Sequence, residues 1–221
     1  MAPSRELRAV LFDLDGTLVD SAPDLVGTLI WLREQYALAP IDHSQLRHHA
    51  SRGALGLIEA GFADRPDLPR DALRQAFLAR YAERLWQDSH AFEGIEVILH
   101  QLHSAGLGLG VVTNKVAGLA EPLIVQAGWS DLFGCVVGGD TTPFPKPHPG
   151  PVLEACRCLG VHPGDAMMVG DDRRDIEAGR SAGCLTAVAT WGYIPPGQNP
   201  VGWDADHLLS DPSSILLIIE K

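Results

Sequence analysis

Short apolar runs alternate with longer stretches of helical periodicity along most of this chain. The first run is Ala9-Val10-Leu11-Phe12, and further runs begin at Leu107, Cys135, Ala166, Leu185 and Asp206. Runs of this length bounded by polar residues read as buried strands. Helical patterns over 95–105, 116–127, 152–159, 176–182 and 212–220 lie between or after them. Repeated strand–helix alternation predicts an α/β fold, a Rossmann-like parallel sheet with helices on both faces. Residues 20–91 depart from the alternation. They carry three helical patterns, at 24–36, 44–60 and 70–86, joined through Pro40, Pro66 and Pro69, and no strand is evident. The reading is a core of residues 1–19 and 92–221 interrupted by a helical domain at 20–91. The interval 113–146 holds one helix and one short strand, which leaves no room for a second insertion.

The first apolar run ends in Asp13-Leu14-Asp15-Gly16-Thr17. Side chains at i and i+2 of a strand share a face, so Asp13 and Asp15 repel unless the chain turns between them or a cation sits there. Gly16 and Thr17 supply a turn. The spacing suits phosphoryl transfer, in which one carboxylate attacks phosphorus, the other handles a proton and a divalent cation neutralises the oxygens. Three later segments also end in groups able to handle phosphate. Thr113-Asn114 follows Leu109-Gly110-Val111-Val112, Lys146 sits in the loop Phe144-Pro145-Lys146-Pro147-His148-Pro149, and Asp171-Asp172-Arg173-Arg174-Asp175 follows Ala166-Met167-Met168-Val169-Gly170. In an open parallel sheet the carboxyl ends of the strands line one crevice, so these groups are expected to converge. Each also has an ordinary reading: a helix cap at Thr113-Asn114, a solvated Lys146, an acidic helix N-terminus at 171–175.

Taken in order, these four segments resemble the four motifs of the haloacid dehalogenase (HAD) superfamily of phosphohydrolases. The resemblance implies the HAD fold, with residues 20–91 as a helical cap placed after the first motif. It implies that Asp13 is the nucleophile that forms an aspartyl phosphate, and that Asp15 is the acid and base. Thr113, Asn114 and Lys146 would hold the phosphoryl oxygens. Mg²⁺ would be held by Asp13, by the backbone carbonyl of Asp15 and by Asp171, with Asp172 and Asp175 in support. Asp172 departs from the Ser or Thr that many members carry there. Asp-Leu-Asp-Gly-Thr-Leu-Val-Asp-Ser, Thr-Asn-Lys and Gly-Asp-Asp-Arg-Arg-Asp-Ile-Glu-Ala-Gly look most like phosphoglycolate phosphatases. Arg-Arg-Asp and Trp203-Asp204-Ala205-Asp206-His207 are similar to bacterial N-acetylmuramate 6-phosphate phosphatases. The implied activity is a Mg²⁺-dependent phosphomonoesterase acting on a small carboxylated phosphate ester, 2-phosphoglycolate first and N-acetylmuramate 6-phosphate as the alternative. A phosphosugar mutase using the same core and a non-catalytic binding protein are the other readings. The two esters share a carboxylate, and Ser51-Arg52-Gly53, at the start of a helical segment, is the candidate cap contact for it, through Arg52 and backbone N–H groups.

Composition narrows the partners. With 221 residues, 46% of them hydrophobic, the chain can bury a full core plus an insertion. A net charge of −11 speaks against nucleic acid or an anionic membrane as partner, leaving a small-molecule phosphate ester. No segment approaches about 18 uninterrupted apolar residues, and Met1 to Glu6 lead to the first strand with no signal-like stretch, so a cytoplasmic protein is expected. Cys135, Cys156, Cys158 and Cys184 lack metal-ligand spacing and read as buried free thiols. His100 with His103, and His48 with His49, read as surface residues. The loop at 191–196, Trp-Gly-Tyr-Ile-Pro-Pro, follows a strand and reads as apolar packing that could border the site.

Overall fold

The computed structural model describes residues 6–219; Met1 to Arg5, and Glu220 at the end of the expected last helix, lie outside the described residues. Six parallel strands form one sheet. They are β1 (Ala9–Phe12), β4 (Gly108–Val112), β5 (Cys135–Val137), β6 (Ala166–Gly170), β7 (Leu185–Ala189) and β8 (His207–Leu209), in the spatial order β5-β4-β1-β6-β7-β8. β1 lies between β4 and β6, with Ala9 level with Gly108 on one side and Ala166 on the other. Alternate side chains then go to opposite faces. Val10 and Phe12 join Val111, Met167 and Val169 beneath α4 (Ile95–Ser104) and α5 (Ala117–Gln126). Ala9 and Leu11 join Val112 and Met168 beneath α6 (Gly150–Leu159) and α7 (Arg173–Ala182). Burial on both faces is why these strands read as unbroken apolar runs.

Between β2 (Val19–Asp20) and β3 (His90–Ala91) the chain leaves the sheet and forms α1 (Ala22–Gln35), α2 (Gly53–Gly61) and α3 (Arg70–Ala82). These helices close around their own apolar cluster, which includes Leu25, Leu29, Leu57, Ile58, Phe62, Leu73 and Phe77. β2 and β3 pair antiparallel, Val19 with Ala91 and Asp20 with His90, so exit and return run side by side. Two-residue strands have no detectable periodicity, which is why no strand was expected here. A buried carboxylate secures the return: Asp24, on α1, accepts the backbone N–H groups of Asp88 and Ser89 and, at 2.5 Å, the Ser89 hydroxyl.

Several boundaries differ from the pattern. The helix expected over 44–60 is broken into 3₁₀ turns at His43–Gln45 and Arg47–Arg52 before α2, because Gly53 takes a φ of 60° that interrupts the ladder. α3 stops at Ala82 rather than 86, and the chain turns through Trp86 at a φ of 64°. α6 starts at Gly150, ahead of the expected 152, since Pro151 is tolerated in a first turn whose N–H groups have no helical partner. α7 starts at Arg173, ahead of 176, because a capping box between Asp172 and Asp175 sets its start within a polar turn. The terminal segment is a 3₁₀ turn at Pro212–Ile215 followed by α8 (Leu216–Ile219). All four cysteines are free, but only Cys156 and Cys184 are buried: Cys135 is half-buried at the start of the edge strand β5, and Cys158 is exposed on α6 beside Glu154. His100 and His103 are exposed on α4. Among the described residues no helix is long and apolar enough to cross a membrane.

Replacing Asp24 by Ala should lower the unfolding free energy by about 2–3 kcal/mol, because buried backbone donors lose a charged acceptor. Urea unfolding of Asp24→Ala and Asp24→Asn measures this. A loss below about 0.5 kcal/mol for the alanine variant would show that the return segment does not depend on this carboxylate.

Candidate active site

The parallel register places the ends of β1, β4 and β6 at one level, and the residue that follows each is polar: Asp13, Thr113 and Asp171. The ladder carries them outward, with the Asp13 N–H donating to the Val169 carbonyl and the Thr113 N–H to that of Val137. Lys146 is buried at their centre. Its ammonium lies 3.0 Å from Asp13 and 2.7 Å from Asp175, and it donates to the Val112 carbonyl at 2.5 Å. Burial works against the charged ammonium, but Asp13 and Asp175 outweigh it and hold its pKa above the ordinary lysine value.

Asp171 is buried opposite, accepting the Thr17 hydroxyl at 2.8 Å and the Tyr193 N–H at 2.8 Å. Burial, then the charges of Asp13 and Asp175, push its carboxyl well above the carboxylate range. Burial likewise pushes Asp175 up to about 7, against the opposing pull of Lys146. Oxygens of Asp13, Asp171 and Asp175 lie within 4.8 Å of one another. Among the described residues, Lys146 pairs with Asp13 and Asp175 and leaves Asp171 without a cation, and an all-oxygen donor set with unbalanced negative charge fits a hard divalent cation such as Mg²⁺. Asp175, expected only in support, is thus grouped with Asp13 and Asp171. The backbone is fitted to this cluster. Gly16 has a φ of 92°, and a Cβ there would lie 2.2 Å from an Asp171 oxygen, while a Cβ on Gly192 would lie 2.2 Å from the Asp171 Cβ.

The other expected residues are placed differently from one another. The Asp15 carboxylate faces away from the cluster, taking the Ser21 hydroxyl at 2.5 Å and the Lys115 ammonium at 2.7 and 2.8 Å. The Asn114 amide is committed to the Lys146 loop, donating to the Lys146 carbonyl and accepting its N–H, both at 2.9 Å. It therefore sets the position of Lys146. The Thr113 hydroxyl accepts the Lys115 N–H at 3.2 Å. Asp172 caps α7 and is gripped by the Arg174 guanidinium at 2.8 and 2.9 Å. Arg52 precedes α2, and its guanidinium meets Glu59 at 2.6 Å.

A cavity of about 170 Å³ opens above these groups. The sheet side contributes Asp13, Asp15, Thr113, Asn114, Lys146 and Asp175; the helical side contributes Ser51, Arg52, Arg74, Phe77 and Tyr81. The bonds that join the two sides were not anticipated from the sequence. Lys115, buried, also donates to the Tyr81 hydroxyl at 3.0 Å. Burial lowers the lysine's affinity for its proton, but Asp15 and Tyr81 more than restore it, and burial pushes the Tyr81 phenol up to about 12. Arg174 donates to the Ser51 carbonyl at 2.7 Å. Tyr193, within the loop read as apolar packing, accepts the Ala22 N–H and donates to Asp20, each at 2.9 Å, while Arg47 binds Asp20 through both terminal nitrogens. Trp191 donates to the Thr17 carbonyl at 3.0 Å. Lys115 stood next to two recognised residues; its partner on α3 is 34 positions away, and nothing in the pattern links them.

Comparison with known proteins agrees with this geometry. The family model of haloacid dehalogenase-like hydrolases matches residues 10–189. An N-acetylmuramic acid 6-phosphate phosphatase of Pseudomonas aeruginosa is 40% identical over 216 residues, covering 97% of this chain and 96% of the relative. A phosphoglycolate phosphatase of Xylella fastidiosa is 43% identical over 205 residues, covering 93% and 90%. The crystal structure of a "predicted phosphoglycolate phosphatase" from Haemophilus somnus superposes with a TM-score of 0.87 at 28% identity, covering 96% and 98% of the two chains. With a sheet, a carboxylate cluster and a family match that coincide, the chain belongs to the haloacid dehalogenase-like hydrolases and is a phosphatase of that family.

Proposed function

We propose that this protein is a Mg²⁺-dependent phosphomonoesterase that works through an aspartyl phosphate on Asp13, with residues 20–91 as the cap over the site and a carboxylated phosphate ester as substrate. The observation that carries the reading is the position of Asp13. It stands at the cavity floor, beside buried Lys146 and within 4.8 Å of Asp171 and Asp175. Its carboxylate is held by the Leu14 N–H at 2.7 Å and by Lys146, which orients it as a nucleophile toward the cavity. Attack on phosphorus would put negative charge next to the Lys146 ammonium and the Thr113 hydroxyl, and fixed donors of this kind favour the transition state. Asp13, Asp171 and Asp175, with the Asp15 carbonyl, would hold Mg²⁺, which when bound neutralises phosphoryl oxygens.

Asp15 would protonate the leaving oxygen and then deprotonate the attacking water. To do so its carboxylate must exchange Lys115 or Ser21 for the substrate, so proton transfer is tied to groups that also bond the cap. Asn114 would act through the Lys146 loop rather than on the phosphate. The relatives' printed substrates, phosphoglycolate and N-acetylmuramic acid 6-phosphate, both carry a carboxylate. Arg52 stands at the cavity edge, but it would have to give up its Glu59 partner to receive such a group.

Asp13→Asn should reduce turnover of any phosphomonoester by about a thousandfold or more, since an amide is no nucleophile. Its metal-free Tm should equal or exceed that of the wild type, because one of three mutually repelling carboxylates is gone. Steady-state kinetics and calorimetry check both, and wild-type turnover in this variant would refute the mechanism. Activity should also disappear with chelator, return with Mg²⁺ and fall in excess Ca²⁺, whose looser coordination misplaces the phosphorus. Full turnover after exhaustive chelation would remove the metal from the account.

A further inference from the structure

The cap holds eight arginines and no lysine. Seven of the arginines are engaged. Arg33, Arg47, Arg52, Arg65, Arg80 and Arg84 each pair with a carboxylate, and Arg70 donates to the carbonyls of Arg65 and Phe62. Arg74 is the exception: among the described residues it has no ion pair, hydrogen bond or ring contact, and it lines the cavity. In a chain of net charge −11, where carboxylates are plentiful, one unpaired guanidinium on the wall of the reaction cavity stands apart.

Arg74 also has a defined place relative to the chemistry. Arg74, Phe77, Leu78 and Tyr81 all line the cavity from α3, at spacings i, i+3, i+4 and i+7, so a single stripe of this helix forms the wall. Tyr81 marks the inner end, where its hydroxyl meets Lys115 and through it Asp15. Arg74 marks the outer end, seven residues and about 10 Å along the helix axis. Phe77 and Leu78 lie between them, with Leu55 and Leu119 also lining the cavity. The wall therefore runs from a polar end at the phosphoryl site, through an apolar middle, to a cation.

We propose that Arg74 is a specificity-determining residue that receives a second anionic group of the substrate, and that the substrate class is a phosphomonoester whose carboxylate is set a sugar ring's width from the phosphate, with an apolar face between. The proposal rests on the phosphomonoesterase reading above and decides between its two substrates. Phosphoglycolate places only a methylene and the ester oxygen between its carboxylate and its phosphorus, short against a wall that runs about 10 Å from Tyr81 to Arg74, and it has no ring to set against Phe77 and Leu78. A sugar-acid phosphate such as N-acetylmuramic acid 6-phosphate reaches both ends and sets a ring against the middle. A guanidinium with no protein partner has no ion pair to break before it binds a carboxylate, and it can do so with two hydrogen bonds.

The test compares N-acetylmuramic acid 6-phosphate with N-acetylglucosamine 6-phosphate, the same ring without the carboxylate, using 2-phosphoglycolate and an aryl phosphate as references. The wild type should favour the carboxylated sugar over its neutral analogue at least tenfold in kcat/KM. Arg74→Ala should collapse that ratio to within about threefold, through KM rather than kcat, and Arg74→Lys should restore part of it. Arg52→Ala should change the ratio less, as its guanidinium already has Glu59. An unchanged ratio in Arg74→Ala, equal losses on both sugars, or a wild type that prefers 2-phosphoglycolate to both would overturn the proposal while leaving the phosphatase intact. A wild type inactive on all four compounds with Mg²⁺ present would overturn the phosphomonoesterase reading and this proposal together.

Discussion

One buried ammonium holds the site together. Lys146 sits among Asp13, Asp175 and the Val112 carbonyl, and without it three carboxylates would face one another at the ends of β1 and β6 and the start of α7. Burying charges costs several kcal/mol per ion unless each is paired, and here the pairing is incomplete by design of the register. Asp171 and Asp175 show the deficit as carboxyls whose pKa values are pushed up, first by burial. A fold optimised for stability alone would place apolar residues at these strand ends. The excess negative charge instead suits a hard divalent cation.

The second constraint lies between the sheet and the helical insertion. Each has its own apolar cluster, and apolar side chains cross between them: Tyr193 and Leu119 pack against the helical cluster, while Leu85 and Trp86 pack against the sheet-side one, Trp86 edge-on to Trp129. The remaining connections near the site are directional polar bonds: Lys115 to Tyr81, Arg174 to the Ser51 carbonyl, and Tyr193 to Ala22 and Asp20. Such bonds define one relative orientation well and can exchange with water. Lys115 also bonds Asp15, the proposed acid and base, and Arg174 also grips Asp172, which caps α7. In the proposed mechanism, the arrangement of the cap is therefore transmitted to the proton-transfer group through a single lysine.

The sheet was legible because its central strands are buried on both faces, and β1, β4 and β6 each end in polar groups that a core has no use for. Asp13, Lys146 and Asp171 could be read as one site since a parallel sheet brings strand ends together. What escaped had no local signature. The β2–β3 ribbon is two residues per strand; the 3₁₀ turns before α2 follow from a single glycine dihedral at Gly53. Lys115 gains its position from Tyr81, and Arg174 from the Ser51 carbonyl, contacts 34 and 123 residues apart that exist only once the insertion has folded back over the sheet. Asn114 shows the reverse case. Its place beside the cavity, at the end of β4, could be read from the sequence, but its work on the Lys146 backbone depends on where the 144–149 loop comes to rest.

The central claim is that Asp13 becomes covalently phosphorylated. Acid quenching of the wild type within the first turnover on a phosphorus-labelled substrate, followed by peptide mapping, tests it most directly. The account predicts an acid-stable, hydroxylamine-labile phosphoryl group on the peptide that contains Asp13, at that residue. A phosphoryl group on any other side chain would contradict it, as would phosphate release with no protein-bound label at any time during the first turnover.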